Sequence, residues 1–135
     1  MRIFYILAWP MFVYAVNGIL DARGLYYALP WVDMPMHFLG GASIGLAGIG
    51  FLSLFKQRGF VNEPPFLLQA FFIISFVGLA AVSWELWEFS MDIVFARHLQ
   101  TDLFDTMVDM FLGLLGGLAA VLVWLAVLSI SRRIR

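Results

Sequence analysis

Four long apolar runs, at about 3–20, 34–55, 66–90 and 103–130, constrain this chain more than any other feature. Each meets the roughly 20 mostly apolar residues that a helix needs to cross a bilayer. Hydrocarbon holds no water to take up unpaired backbone groups, so such runs are expected to fold as helices. The expected architecture is an all-α membrane protein, a four-transmembrane-helix bundle forming a single domain over residues 1–135. Composition agrees. Of the 135 residues, 63% are hydrophobic and only 13% charged, where a soluble domain carries about 25% charged residues. The chain has no cysteine, which excludes disulfides and thiol chemistry, and its net charge of −1 argues against a nucleic-acid partner. The first run contains Trp9, Pro10 and Asn17 and lacks a clear small-x-small cleavage pattern, so it reads as a retained helix and not a signal peptide.

Basic residues give an orientation. With four spans, both termini and the "KQRGFVNEPP" loop fall on one side. That side carries Arg2, Lys56, Arg58, Arg132, Arg133 and Arg135, against Arg23 and Arg97 on the other. The excess predicts cytoplasmic termini. Tyr26, Tyr27, Trp31, Trp84 and Trp87 then mark the outer interface, where amphipathic aromatics settle.

Acids at the edge of hydrocarbon require a cause, and "TDLFDTMVDMFLGLLGG" at 101–117 carries three of them ahead of an apolar run. Counting inward at about 1.5 Å per residue places His37, Glu85 and Asp109 at one outer level. Asp33, Glu88, Asp92, Asp102 and Asp105 lie just beyond. Each set has spacings of three and four and so occupies one helical stripe. The stripes continue inward as Gly41, Gly45 and Gly48, as Ala81 and Gly78, and as Gly113 and Gly116, small residues of the kind that let membrane helices approach closely. The acidic faces are therefore expected to be helix-contact faces.

Simple explanations cover some of these residues. Asp102 reads as an N-cap, with Asp105 where a capping-box acid would stand. Asp33 before Met34-Pro35 reads equally as a cap or a site residue. Asp92 is expected to be solvated at a fraying helix end, Asn17 and Asp21 to support the exit of the first helix, and His98 to be a loop residue. Asp109, Glu85 and His37 lie too deep for capping. Ionisable residues inside a membrane span usually face the bundle interior and mark function.

One histidine with several carboxylates, spread over helices at i, i+3 and i, i+4 spacing, is how helical bundles hold metal ions. The expected metal ligands are His37, Glu85, Glu88, Asp105 and Asp109, with His37 and Asp33 as catalytic residues, as ligand and orienter or with His37 as general base. An imidazole among carboxylates favours Zn, Mn or Fe as the divalent metal over Ca or Mg. A proton-sharing carboxyl cluster is the other way to accommodate the charge.

The blocks "DMPMHFLGG", "WELWE" and "FDTMVDMFLGLLGG" resemble those of the YjdF-like bacterial inner-membrane proteins, which carry D-x-x-x-H-F, E-x-x-E and D-T-x-x-D-M blocks running into a Gly-rich helix. The chain is more distantly similar to VanZ-like proteins. The resemblance spans roughly residues 33–117. It implies a small polytopic protein of the bacterial cytoplasmic (inner) membrane and groups Asp33, His37, Glu85, Glu88, Asp105 and Asp109.

Three functions stay open at this point. One is a metal-dependent enzyme that hydrolyses or modifies a lipid or lipid-linked substrate at the outer leaflet. Another is a non-catalytic accessory or assembly subunit of a larger membrane complex. The third, an ion or proton transport component, ranks lower, because the inner halves of the spans offer little beyond Ser53, Gln69 and Ser75. Expected partners are membrane lipids, with a membrane-protein partner or a second copy of the chain.

Overall fold

The computed structural model describes residues 3–133 of the chain. Arg2 and Arg135, and the side chains of Arg132 and Arg133, which entered the orientation argument, lie outside the described residues. Five α-helices follow in order: α1 (Ile3–Ala22), the one-turn α2 (Leu25–Ala28), α3 (Asp33–Gln57), α4 (Phe66–Phe95) and α5 (Leu103–Arg133). A 3₁₀ turn (Pro30–Val32) leads into α3. Helices α1, α3, α4 and α5 are long and apolar enough to cross a membrane. Large side chains such as Leu67, Leu79, Phe111 and Val123 point outward, as residues facing hydrocarbon do.

Helix ends follow local chemistry. At the close of α3, Gly59 takes a φ of 72°. The Phe60 N–H bonds the Phe55 carbonyl, and the Gly59 N–H bonds the Lys56 carbonyl. These two bonds and a left-handed glycine make a Schellman stop, completed by an edge-on contact between the Phe55 and Phe60 rings. Helix α4 runs past position 90 to Phe95, where Ala96 turns left-handed. The Asp92 carboxylate accepts the Leu99 and Gln100 N–H groups at 2.6 and 2.9 Å. Asp92 is thus a tether for the 96–102 connection and not a solvated end residue. At the start of α5, Asp102 accepts the Asp105 N–H at 2.9 Å, as an N-cap does.

Helix α3 is the spine of the bundle. It packs most extensively against α5 and also meets α1 and α4, whereas α1 lies at the edge with Ile6 as its buried residue. Alpha-3 and α5 run parallel, and glycines set their spacing. A Cβ on Gly41 would land on the Gly113 backbone, and one on Gly116 would land on the backbone of Phe38 and Ala42. A Cβ on Gly45 would come 3.2 Å from the Gly117 Cα. The two Gly-xxx-Gly faces therefore touch backbone to backbone, where close packing replaces the hydrophobic drive that lipid removes. Antiparallel α4 covers both, with Ile73 and Val77 fully buried. Ala81 lies against Gly113, and Val77 against Gly117.

At the 58–65 end, Lys56 donates to Glu63 and to Gln69 at 2.9 Å each. Buried Gln69 in turn donates to the Pro64 carbonyl at 2.6 Å. This polar knot closes that end of the bundle.

Candidate metal centre

The glycine register that sets the helix spacing also places the polar residues. His37 stands one turn before Gly41, and Asp109 one turn before Gly113, so the Gly41–Gly113 contact sets the two side chains abreast. On α4, the pairing of Ala81 with Gly113 and Val77 with Gly117 continues one turn farther to set Glu85 level with Asp109. Small residues inward thus dictate which polar residues meet outward.

The result is one imidazole among carboxylates from three helices. His37 Nε2 lies 3.4 Å from Asp33 Oδ1 and 3.8 Å from Asp109 Oδ2. Its Nδ1 lies 3.8 Å from Glu85 Oε1. Asp109 and Glu85 are among the few buried charged residues, 3% and 6% exposed. Two sets of side chains bring ligand atoms within 4.8 Å of one another: Asp33, His37 and Asp109, and His37, Glu85 and Glu88. Among the described residues, the ion pairs of Lys and Arg lie elsewhere, Lys56 with Glu63 and Arg97 with Asp21.

At Asp33 the structure bears on the choice between cap and site residue. The N-cap position of α3 is Val32, with no side-chain cap, and Asp33 is the first helical residue, its carboxylate turned toward His37. It therefore belongs to the cluster. Asp105 behaves otherwise. It falls in neither ligand set, and its Oδ2 accepts the Thr101 N–H at 3.3 Å in a capping arrangement with Asp102. Glu88 accepts the Trp84 indole N–H at 2.9 Å.

Residues outside the sequence-derived set complete the end of the bundle. Gln100 donates to Glu85 Oε2 at 3.0 Å and to the Glu85 carbonyl at 3.1 Å, laying the 96–102 connection over the cluster. Arg97 pairs with Asp21 at 2.6 Å, and the Tyr27 hydroxyl donates to the Arg97 carbonyl at 2.8 Å, fastening that connection to the end of α1 and to α2. The Tyr26 hydroxyl donates to Asn17. Burial, followed by the nearby Asp33 and Glu88 carboxylates, raises the Tyr26 hydroxyl above the ordinary phenol range, so it remains a donor. A lone glutamine in a polar loop has no periodicity to mark it, and only the three-dimensional fold reveals Gln100 as part of the site.

Beside His37 a half-open cavity of about 580 Å³ runs between α1, α3 and α4. Its wall is mostly apolar, and Tyr14, Asn17, Trp84 and Trp87 lie toward the His37 end.

No curated protein and no solved structure matches this sequence. A family profile does, over residues 1–130. That span includes α1, α3 and α4, all but the last residues of α5, and every residue of the His37 cluster, so the chain belongs to the family described as "Predicted membrane protein (DUF2238)".

Proposed function

We propose that the His37 end of the bundle binds one divalent cation and uses it to hydrolyse or modify a head-group bond of a membrane lipid or lipid-linked substrate. The observation that carries this reading is the spacing around Nε2. Separations of 3.4 and 3.8 Å to Asp33 and Asp109 exceed the roughly 2.7–3.2 Å of an ordinary N–H···O hydrogen bond. They fit instead the edges of a coordination polyhedron, since bonds of roughly 2.1 Å in a tetrahedron set ligands about 3.4 Å apart. Two carboxylates and one imidazole leave a further position for water, the arrangement of a catalytic site. The imidazole favours Zn, Mn or Fe.

Roles follow from the two sides of the ring. Nε2 would face the metal with Asp33 and Asp109, while a proton kept on Nδ1 would point toward Glu85 Oε1 at 3.8 Å and orient the ring by charge. Gln100 holds Glu85 in turn. A cation at this point lowers the pKa of bound water and polarises a phosphoryl or acyl oxygen. Glu88, held by the Trp84 indole, groups with His37 and Glu85 and not with Asp33 and Asp109, so it is assigned to the Glu85 side of the ring. The resemblance to YjdF-like proteins and the Lys/Arg distribution support a bacterial cytoplasmic membrane, with termini inside and the site at the outer face.

Metal analysis of purified protein after loading and desalting tests the reading. About one equivalent of Zn, Mn or Fe is expected in the wild type. It should be lost from His37→Ala and Asp109→Asn variants whose thermal melts remain cooperative. Wild-type protein that takes up no divalent ion would sink the proposal and leave the accessory-subunit reading in its place.

A further inference from the structure

The cavity beside His37 has a shape that the metal site does not require. It follows α4 from Val77 to Trp87, ten residues and so about 15 Å at the rise of a helix. That is half of the roughly 30 Å hydrocarbon core, the depth of a single leaflet. Its lining stops at Pro10, Ile44 and Val77 at one end, and at the other it reaches His37 and the Tyr14, Trp84 and Trp87 rings. Tyr14 meets Trp84 edge-on at 6.3 Å, and Trp84 meets Trp87 at 4.9 Å. Aromatic side chains of this kind settle at the level of lipid head groups. The groove thus begins where a head group lies and ends where an acyl chain ends.

Its walls are bare on purpose-relevant positions of both principal helices. A Cβ on Gly40 would meet nothing within 4 Å, whereas the neighbouring Gly41 presses on α5. On the facing helix the wall is made by Ala80 and Ala81. Helix α1 leans on α3 and contributes little contact to α4 beyond Tyr14, so the groove opens sideways between α1 and α4. A transmembrane helix of another protein is about 10 Å across and would run the full bilayer depth. A groove whose lining spans only half that depth does not match it. An extended hydrocarbon chain entering from the surrounding leaflet matches both the length and the lining.

We infer that the groove between α1, α3 and α4 seats one acyl chain of a glycerophospholipid from the leaflet at the 96–102 end, directing its head group to His37. This deepens and rests on the proposed function, because it supplies the substrate class and the device that holds it. The chain's burial fixes the lipid along the membrane normal, so that the bond near the glycerol stands level with Asp33, His37 and Asp109. Holding a reactant in register with a reacting centre is itself a large part of catalysis.

Native mass spectrometry of detergent-purified protein titrated with dioleoyl phosphatidylethanolamine or dioleoyl phosphatidylglycerol tests the groove separately from the metal. The wild type is expected to retain one lipid. Gly40→Phe and Ala80→Phe fill the groove from opposite walls and should each weaken that binding about tenfold or more, while a Leu79→Phe change on the lipid-facing side of α4 should not. Thermal melts establish that each variant is folded. Wild-type retention by either filled variant overturns the inference, as does a dimer that forms in the wild type in place of lipid binding and is lost in both. Lipid binding that persists in a metal-free His37→Ala protein supports the groove. Zinc uptake by Gly40→Phe without lipid retention supports both readings. Lipid retention by a wild type that binds no metal leaves the groove standing and removes the proposed chemistry.

Discussion

An imidazole offers two nitrogens, and a metal-bound ring keeps a proton on the other one. If His37 binds a metal as proposed, the carboxylates on its two sides have unequal duties, and conservative amides separate them. Asp109→Asn removes a charged ligand and should abolish stoichiometric zinc uptake. Glu85→Gln keeps an oxygen acceptor beside Nδ1, so uptake should survive with affinity lowered roughly 10- to 100-fold, the usual cost of disturbing a ligand's orienting partner. Competition titration against a zinc chelator reads both, and equal losses would refute the division of roles. At this scale the sequence was partly legible. His37, Glu85 and Asp109 share a level because spacings of three and four, counted along helices, translate directly into depth. Asp33 was ambiguous because a first-turn aspartate serves equally as cap or site residue, and only the fold shows Val32 at the cap position and Asp33 beside His37. Gln100 was invisible, since its meeting with Glu85 depends on how a connection folds back.

Among the elements, neighbouring glycines carry opposite burdens. Gly41 and Gly116 lie where an added methyl would strike the backbone of the partner helix, which has no rotamer to give way. Ala at either position should lower the detergent melting temperature, with a cost of at least about 1–3 kcal/mol for overpacking. Gly40, one residue away, faces open space, and Gly40→Ala should be neutral or mildly stabilising, since Ala exceeds Gly in helix propensity by about 1 kcal/mol. Thermal melts of the three variants side by side check this, and indistinguishable melts would mean that α3 and α5 do not meet as described. The helices themselves were legible, because hydrocarbon admits few alternatives to runs of this length. Their ends were less so. Helix α4 continues to Phe95 because Asp92 supplies acceptors for the following N–H groups, a contact made seven and eight residues away. The short α2 and the 3₁₀ turn carry no apolar period long enough to announce them.

For the whole molecule, the bundle would be equally well packed either way up, so its orientation rests on the distribution of Lys and Arg. That distribution predicts that Asn62→Cys is labelled only from the cytoplasmic side and Thr101→Cys only from outside. Both side chains are exposed and lie in opposite connections. Impermeant maleimide applied to intact cells measures it, and labelling at position 62 alone would invert the topology and move the site to the cytoplasmic face. The parallel contact of α3 with α5 also has a bearing on biosynthesis. These two helices are separated in the chain by α4, so the tightest joint in the protein forms between segments that leave the ribosome far apart in time. Until α5 arrives, Gly41 and Gly45 expose bare backbone to lipid and His37 lacks Asp109. A chain stopped before Leu103 would thus leave that face uncovered, and docking of α5 would pack the glycines and complete the cluster in one step.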